Sequence, residues 1–123
     1  MSLCLATGAA VLSLAVPGFT LSWSHSVEHT IWWERWEVTA AGLRPVEARV
    51  AGAGAGIDLP EGAERRADGW HYRPGLPVQR EVWLAASGAT DGGWTFCAGG
   101  ACRVLGAEPG AALHLWTAPD CGA

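Results

Sequence analysis

Phe19-Thr20-Leu21-Ser22-Trp23-Ser24 alternates strictly between a large apolar residue and a small hydroxyl-bearing one. Successive side chains of a strand point to opposite faces, so Phe19, Leu21 and Trp23 share a buried face while Thr20, Ser22 and Ser24 look the other way. A helix would scatter the same residues around its circumference. The segment is therefore a half-buried strand, and it sets the period in which the rest of the chain is read.

On its N-terminal side, Ser2–Ala6 and Ala9–Val16 form two strands joined at Thr7-Gly8, with Leu12, Leu14 and Val16 on one face. The same stretch is apolar and rich in small residues, as a secretory signal is, but it has no basic leading region and the Thr-Gly pair divides it. On the C-terminal side, Glu34–Thr39 and Leu43–Val50 make a hairpin around Ala40-Ala41-Gly42. Its expected inward residues are Trp36, Val38, Val46, Ala48 and Val50, with Glu37, Glu47 and Arg49 outward. Pro45 cannot donate to a sheet ladder and marks an edge or a bulge. A short hairpin turns at Ala67-Asp68-Gly69 into Trp70-His71-Tyr72. Glu81–Ser87 is a further strand, Trp94–Ala98 and Ala101–Leu105 pair around Gly99-Gly100, and Ala111–Thr117 closes the set.

Residues 51–62 and 73–79 show no helical spacing and are loops. The expectation is one all-β domain over residues 1–123, a small antiparallel sandwich or partly closed barrel of about eight to nine short strands.

Half of the residues are apolar and 16% are charged, so burial can offset the entropy of ordering the chain. A net charge of −4, with arginines spread singly apart from Arg65-Arg66, provides no basic stripe for phosphates and argues against nucleic acid. No run approaches the ~20 apolar residues of a membrane-spanning helix.

Four cysteines bear on the compartment. If Gly99-Gly100 is a two-residue turn, Cys97 lies opposite Cys102 at a non-hydrogen-bonded position, within disulfide reach. Cys4 and Cys121 lie near opposite ends of the chain, and a bridge between them would tether segments that otherwise fray. Disulfides imply an oxidising compartment. Zinc suits the cysteines less well, because the four-residue gap is wider than the usual two.

The densest chemistry follows Trp23, in Ser24-His25-Ser26-Val27-Glu28-His29-Thr30. His25, Glu28 and His29 spell H-x-x-E-H, a zinc-protease pattern that needs a helix to bring both imidazoles to one face. Here the segment continues a strand instead. Ser24 and Ser26 flank His25, yet adjacent strand residues point apart and no nucleophile elbow is present. The glycines at 52, 54 and 56 lack the strand–turn–helix setting of a dinucleotide loop. His25, Ser26 and Glu28 therefore suit backbone hydrogen bonding or a polar binding site, and Gly54 and Gly56 close approach of backbone to a ligand or partner. Alternation places Trp32 inward with Trp36 and leaves Trp33 outside, beside Arg35, where an indole is a natural contact for a partner.

With Trp23-Ser24-His25-Ser26-Val27-Glu28, then Thr30, Trp33, Glu34 and Trp36, the chain resembles the bacterial domain-of-unknown-function family 1850. Gly54-Ala55-Gly56, Ser87-Gly88-Ala89-Thr90 and Cys97-Ala98-Gly99-Gly100 with Cys102 extend the resemblance over nearly the whole chain. It departs in having Ile31 where proline is expected and in lacking the leading apolar anchor of many members. The resemblance implies a small exported or membrane-anchored protein whose gene neighbours a permease of the TAXI-type tripartite transporters, and it supplies no catalytic residues.

The expected function is thus a non-enzymatic accessory or binding domain of such a transporter, without cofactor or metal, periplasmic or membrane-associated on the extracytoplasmic side. It would contact the permease or the substrate-binding protein through the loops around His25–Trp33 and Gly52–Gly56. One alternative is a small-ligand module with a pocket of His25, Ser26 and Glu28. Another is a metal-dependent hydrolase using His25, Glu28 and His29.

Overall fold

The structure, a computed structural model, describes residues 1–8, 10–25, 30–51, 59–86 and 90–122. Eleven strands run in chain order: β1 (Ser2–Thr7), β2 (Ala10–Leu14), β3 (Gly18–His25), β4 (Thr30–Thr39), β5 (Gly42–Ala51), β6 (Glu64–Arg66), β7 (Gly69–Tyr72), β8 (Glu81–Leu84), β9 (Thr90–Ala98), β10 (Ala101–Leu105) and β11 (Leu113–Ala118). They form two antiparallel sheets, one of four strands in the order β2-β1-β11-β8 and one of seven in the order β10-β9-β3-β4-β5-β7-β6. Neither sheet closes on itself, so the fold is sandwich-like and not a barrel. The count exceeds the expected eight to nine through short pieces such as β6, three residues long, and no helix is present among the described residues.

The alternation in 19–24 is realised as read: Phe19 and Leu21 are buried and Trp23 packs against their cluster. The sheets meet over Leu3, Leu5, Leu113 and Leu115 on one side and Phe19, Leu21, Trp36, Leu43 and Phe96 on the other. Each fully buried leucine is worth about 1.5–3 kcal/mol relative to exposure. Leu12, Leu14 and Val16 pack at the margin, as their spacing requires. Thr7 ends β1 and pairs with Ala10, so the first turn begins at Gly8 and not at Thr7.

The β4–β5 hairpin corrects one expectation. Arg35 pairs with Glu47 but Trp36 pairs with Pro45, so Val46 is the extra residue of a bulge. A bulge reverses the side-chain parity beyond it. Leu43 and Pro45 are accordingly buried on one side of it, Ala48 and Val50 on the other, and Val46 is only half-buried instead of pointing into the core. Pro45 thus sits in an interior strand, at the bulge.

Gly42 explains how the connection from β7 reaches the small sheet. Its φ of 142° suits glycine, and a Cβ there would lie 2.3 Å from the Gln79 carbonyl oxygen. That carbonyl accepts from Leu43 N at 2.7 Å, and Gln79 N donates back to Leu43 O at 2.7 Å, pinning the crossing segment against β5.

The expected Cys97–Cys102 pairing is made, and Cys4 and Cys121, whose pairing the sequence left open, are bridged as well. Gly99 and Gly100 have φ of 60° and 81°, the left-handed pair that a tight hairpin turn needs. Ala98 pairs with Ala101 and Cys97 with Cys102, and the latter two are disulfide-bonded. Cys4 of β1 is joined to Cys121, beyond β11, across 117 residues of chain.

Candidate functional site

The seven-stranded sheet displays different side-chain rows on its two faces near the end where β3 meets β4. At that end His25 pairs with both Thr30 and Thr90, and Ile31 pairs with Ala51. The strand ends flanking residues 26–29, 52–58 and 87–89 therefore lie side by side. His25 is a strand residue there and not the first turn of a helix. Ser26, Glu28, His29, Gly54 and Gly56 lie outside the described residues, so the proposed polar pocket and the H-x-x-E-H pattern fall outside them as well. Among the described residues no cluster of three or more His, Cys, Asp or Glu side chains could hold a metal.

On the outer face, register aligns Ser22, Trp33, Arg49, His71 and Glu64 across β3, β4, β5, β7 and β6. Trp33 is on this face, as alternation requires, but it is half-buried because the Arg49 guanidinium covers it at 3.6 Å from the ring centroid. Arg49 Nη1 donates to Asp68 Oδ2 at 3.1 Å, and His71 Nε2 donates to Asp68 Oδ1 at 2.6 Å. The hydrogen bond from His71, seconded by that from Arg49, holds the Asp68 carboxyl below its ordinary range. Arg49 Nε and His71 Nδ1 are buried without a hydrogen-bond partner among the described residues. Cross-strand pairs Arg35–Glu47 and Arg44–Glu37 continue this polar face toward the β4–β5 turn.

On the inner face, Leu21, Glu34, Ala48 and Tyr72 form one row and Trp23, Trp32, Val50 and Trp70 the next. Trp23 lies parallel to Trp32 at 6.2 Å and tilted against Trp94 at 4.7 Å. Glu34 is the anomaly, a carboxylate in an apolar row. Trp36 Nε1 donates to its Oε1 at 3.2 Å, and no arginine or histidine lies within ion-pair distance among the described residues. Burial pushes the carboxyl above its ordinary value of 4.5, and the Trp36 bond only partly offsets this. Burial likewise raises the Tyr72 hydroxyl, with the Glu34 charge adding to it. Sequence reasoning passed over Glu34, although its place two residues from both Trp32 and Trp36 puts it on their face.

The sign of its effect on stability follows. Glu34 binds its proton more tightly folded than unfolded, so unfolding releases a proton in the window above pH 4.5, and stability falls there as pH rises. Glu34→Gln removes this slope. In urea titrations the variant gains on the parent protein as pH rises from 4.5 to neutral, by on the order of 1 kcal/mol or less, because the carboxylate keeps part of its hydration. A parent protein that gained stability over Glu34→Gln in that window would contradict the assignment.

A third aromatic group occupies the outer face of the four-stranded sheet. His114 is stacked between Trp83 at 3.9 Å and Trp116 at 4.4 Å, and its Nε2 is 2.8 Å from Glu81 Oε2.

A family model described as Domain of unknown function (DUF1850) matches residues 19–105. The chain belongs to that family. The DUF1850 match runs from the second residue of β3 to the last of β10, so it takes in the seven-stranded sheet, with the rows on both its faces, and β8 of the smaller one. β1, β2 and β11 lie outside the matched stretch. No curated protein and no solved structure matches the chain.

Proposed function

We propose that this DUF1850 domain is a non-enzymatic docking module that serves a bacterial tripartite (TRAP/TAXI-type) solute transporter from the extracytoplasmic side. The observation that carries the docking role is the Trp33–Arg49–Asp68–His71 array on the outer face of the seven-stranded sheet, where Arg49 stays partly exposed and Asp68 exposed. Tryptophan and arginine dominate the energetics of protein interfaces, and a guanidinium already stacked and ion-paired loses little freedom when a partner closes over it. The two disulfides suit an oxidising compartment. No helix of the described residues is long and apolar enough to cross a membrane. The transporter context comes from the family resemblance.

The test is co-purification with the permease and the substrate-binding protein encoded beside the gene. Trp33→Ala is expected to weaken the complex by about thirtyfold, the size of a hot-spot loss of about 2 kcal/mol. Its thermal midpoint should stay close to that of the parent protein. Retention of the complex by both Trp33→Ala and Arg49→Ala would exclude this face.

A further inference from the structure

On the other side of β4 from Trp33, an open surface depression of about 460 Å³ is lined by Glu34, Leu59, Pro60, Tyr72, Pro74 and Leu76. Its size falls within the range of small-molecule sites. Its residues are four with apolar side chains, a phenol, and a carboxylate whose one bonded oxygen accepts from Trp36, and polar atoms make up the larger part of the accessible lining. An anion is repelled by this lining, and a neutral apolar molecule would leave the carboxylate half-desolvated without compensation. A bare divalent metal wants several oxygen ligands, and the depression supplies a single carboxylate among its described lining.

We propose that this depression binds a small organic ammonium ion, with Glu34 as its counter-ion and Tyr72, Leu59, Pro60, Pro74 and Leu76 around its hydrocarbon part. An alkylammonium group carries both features that the walls ask for, a positive charge and an apolar skirt, and the phenol ring of Tyr72 adds a face that attracts cations. Burial of Glu34 without a cationic neighbour is the state that such a ligand relieves. Trp33 and Glu34 are adjacent in β4 and face opposite ways, so this site and the docking face stand or fall separately.

The Trp36 indole N–H, bonded directly to Glu34, is the reporter. The ¹H–¹⁵N indole resonance of Trp36 is followed in the full-length protein, with disulfides intact, during titration with tetramethylammonium chloride and with n-butylammonium chloride. Sodium chloride, n-butanol and sodium butyrate serve as controls. Saturable movement with at least one ammonium and none with the controls is expected, and Glu34→Gln should weaken binding by about tenfold or more. Glutamine keeps an oxygen to accept from Trp36, so the reporter survives the change.

The pH dependence of the unmutated protein is a second measurement that needs no variant to fold. Among the described groups lining the depression, Glu34 and Tyr72 alone titrate; the register neighbours of Glu34, Leu21 on β3 and Ala48 on β5, do not. Ammonium affinity should therefore fall as pH is lowered through the raised Glu34 value. The proposal is overturned if neither ammonium gives a saturable shift, if n-butanol shifts the resonance as n-butylammonium does, if the affinity survives in Glu34→Gln, or if it is indifferent to protonation of the carboxyl.

Discussion

Replacing Cys4 and Cys121 together by serine is expected to lower the free energy of unfolding by about 2–5 kcal/mol, whereas replacing Cys97 and Cys102 together costs about 2 kcal/mol or less. The two bridges differ in the chain they close, 117 residues apart against five. Loop-closure entropy gives about 5 kcal/mol for the first and about 2 kcal/mol for the second. Position reinforces the ranking, because Cys4 lies in β1, an interior strand of the smaller sheet, and is fully buried. Cys97 and Cys102 join strands already paired through a tight turn. Urea unfolding of the two double variants without reductant measures both differences. Equal losses, or a larger loss at Cys97–Cys102, would show that chain-closure entropy is not what the long bridge contributes.

Trp36→Ala is the second large effect, at about 3–5 kcal/mol. Trp36 is 7% exposed, lies parallel to Phe19 with ring centroids 5.9 Å apart, and donates its indole N–H to Glu34. Truncation opens a cavity in the joint between the sheets and strips the half-buried carboxylate of its donor. Trp36→Phe separates the two contributions, since it fills most of the volume and removes the donor alone. It should cost about 1–3 kcal/mol and raise the Glu34 carboxyl further above its ordinary value, because the Trp36 bond is what pulls it down. Chemical denaturation gives the first quantity and carboxyl-selective NMR titration the second. A Glu34 titration unmoved by Trp36→Phe would mean that the bond has no energetic weight.

Period-two alternation made most of this architecture legible. Residues 19–24 announced β3, Gly99-Gly100 fixed the register that brings Cys97 to Cys102, and Ala67-Asp68-Gly69 located the turn before β7. Alternation also placed Trp33 on the outer face, but it is blind to what arrives from other strands. The Arg49 guanidinium that covers Trp33 comes from β5, and the Asp68 that holds it comes from the β6–β7 turn. Pro45 signalled the bulge without saying which neighbour would be the extra residue, and Val46 was consequently assigned the wrong face. Glu34 shows a different limit. Its parity was readable from Trp32 and Trp36, yet charge normally marks a solvated position, and only the cross-strand row identifies this glutamate as a half-buried one.

The order of the smaller sheet has a consequence for biogenesis. β1 is flanked by β2 and β11, so one of its two ladders is supplied by a strand synthesised more than a hundred residues later. Until that strand has been made, the β1–β2 hairpin has the Leu3 and Leu5 edge of β1 unpaired. Among the described strands, β11 is thus the one that completes the pairing of β1 and joins it to β8.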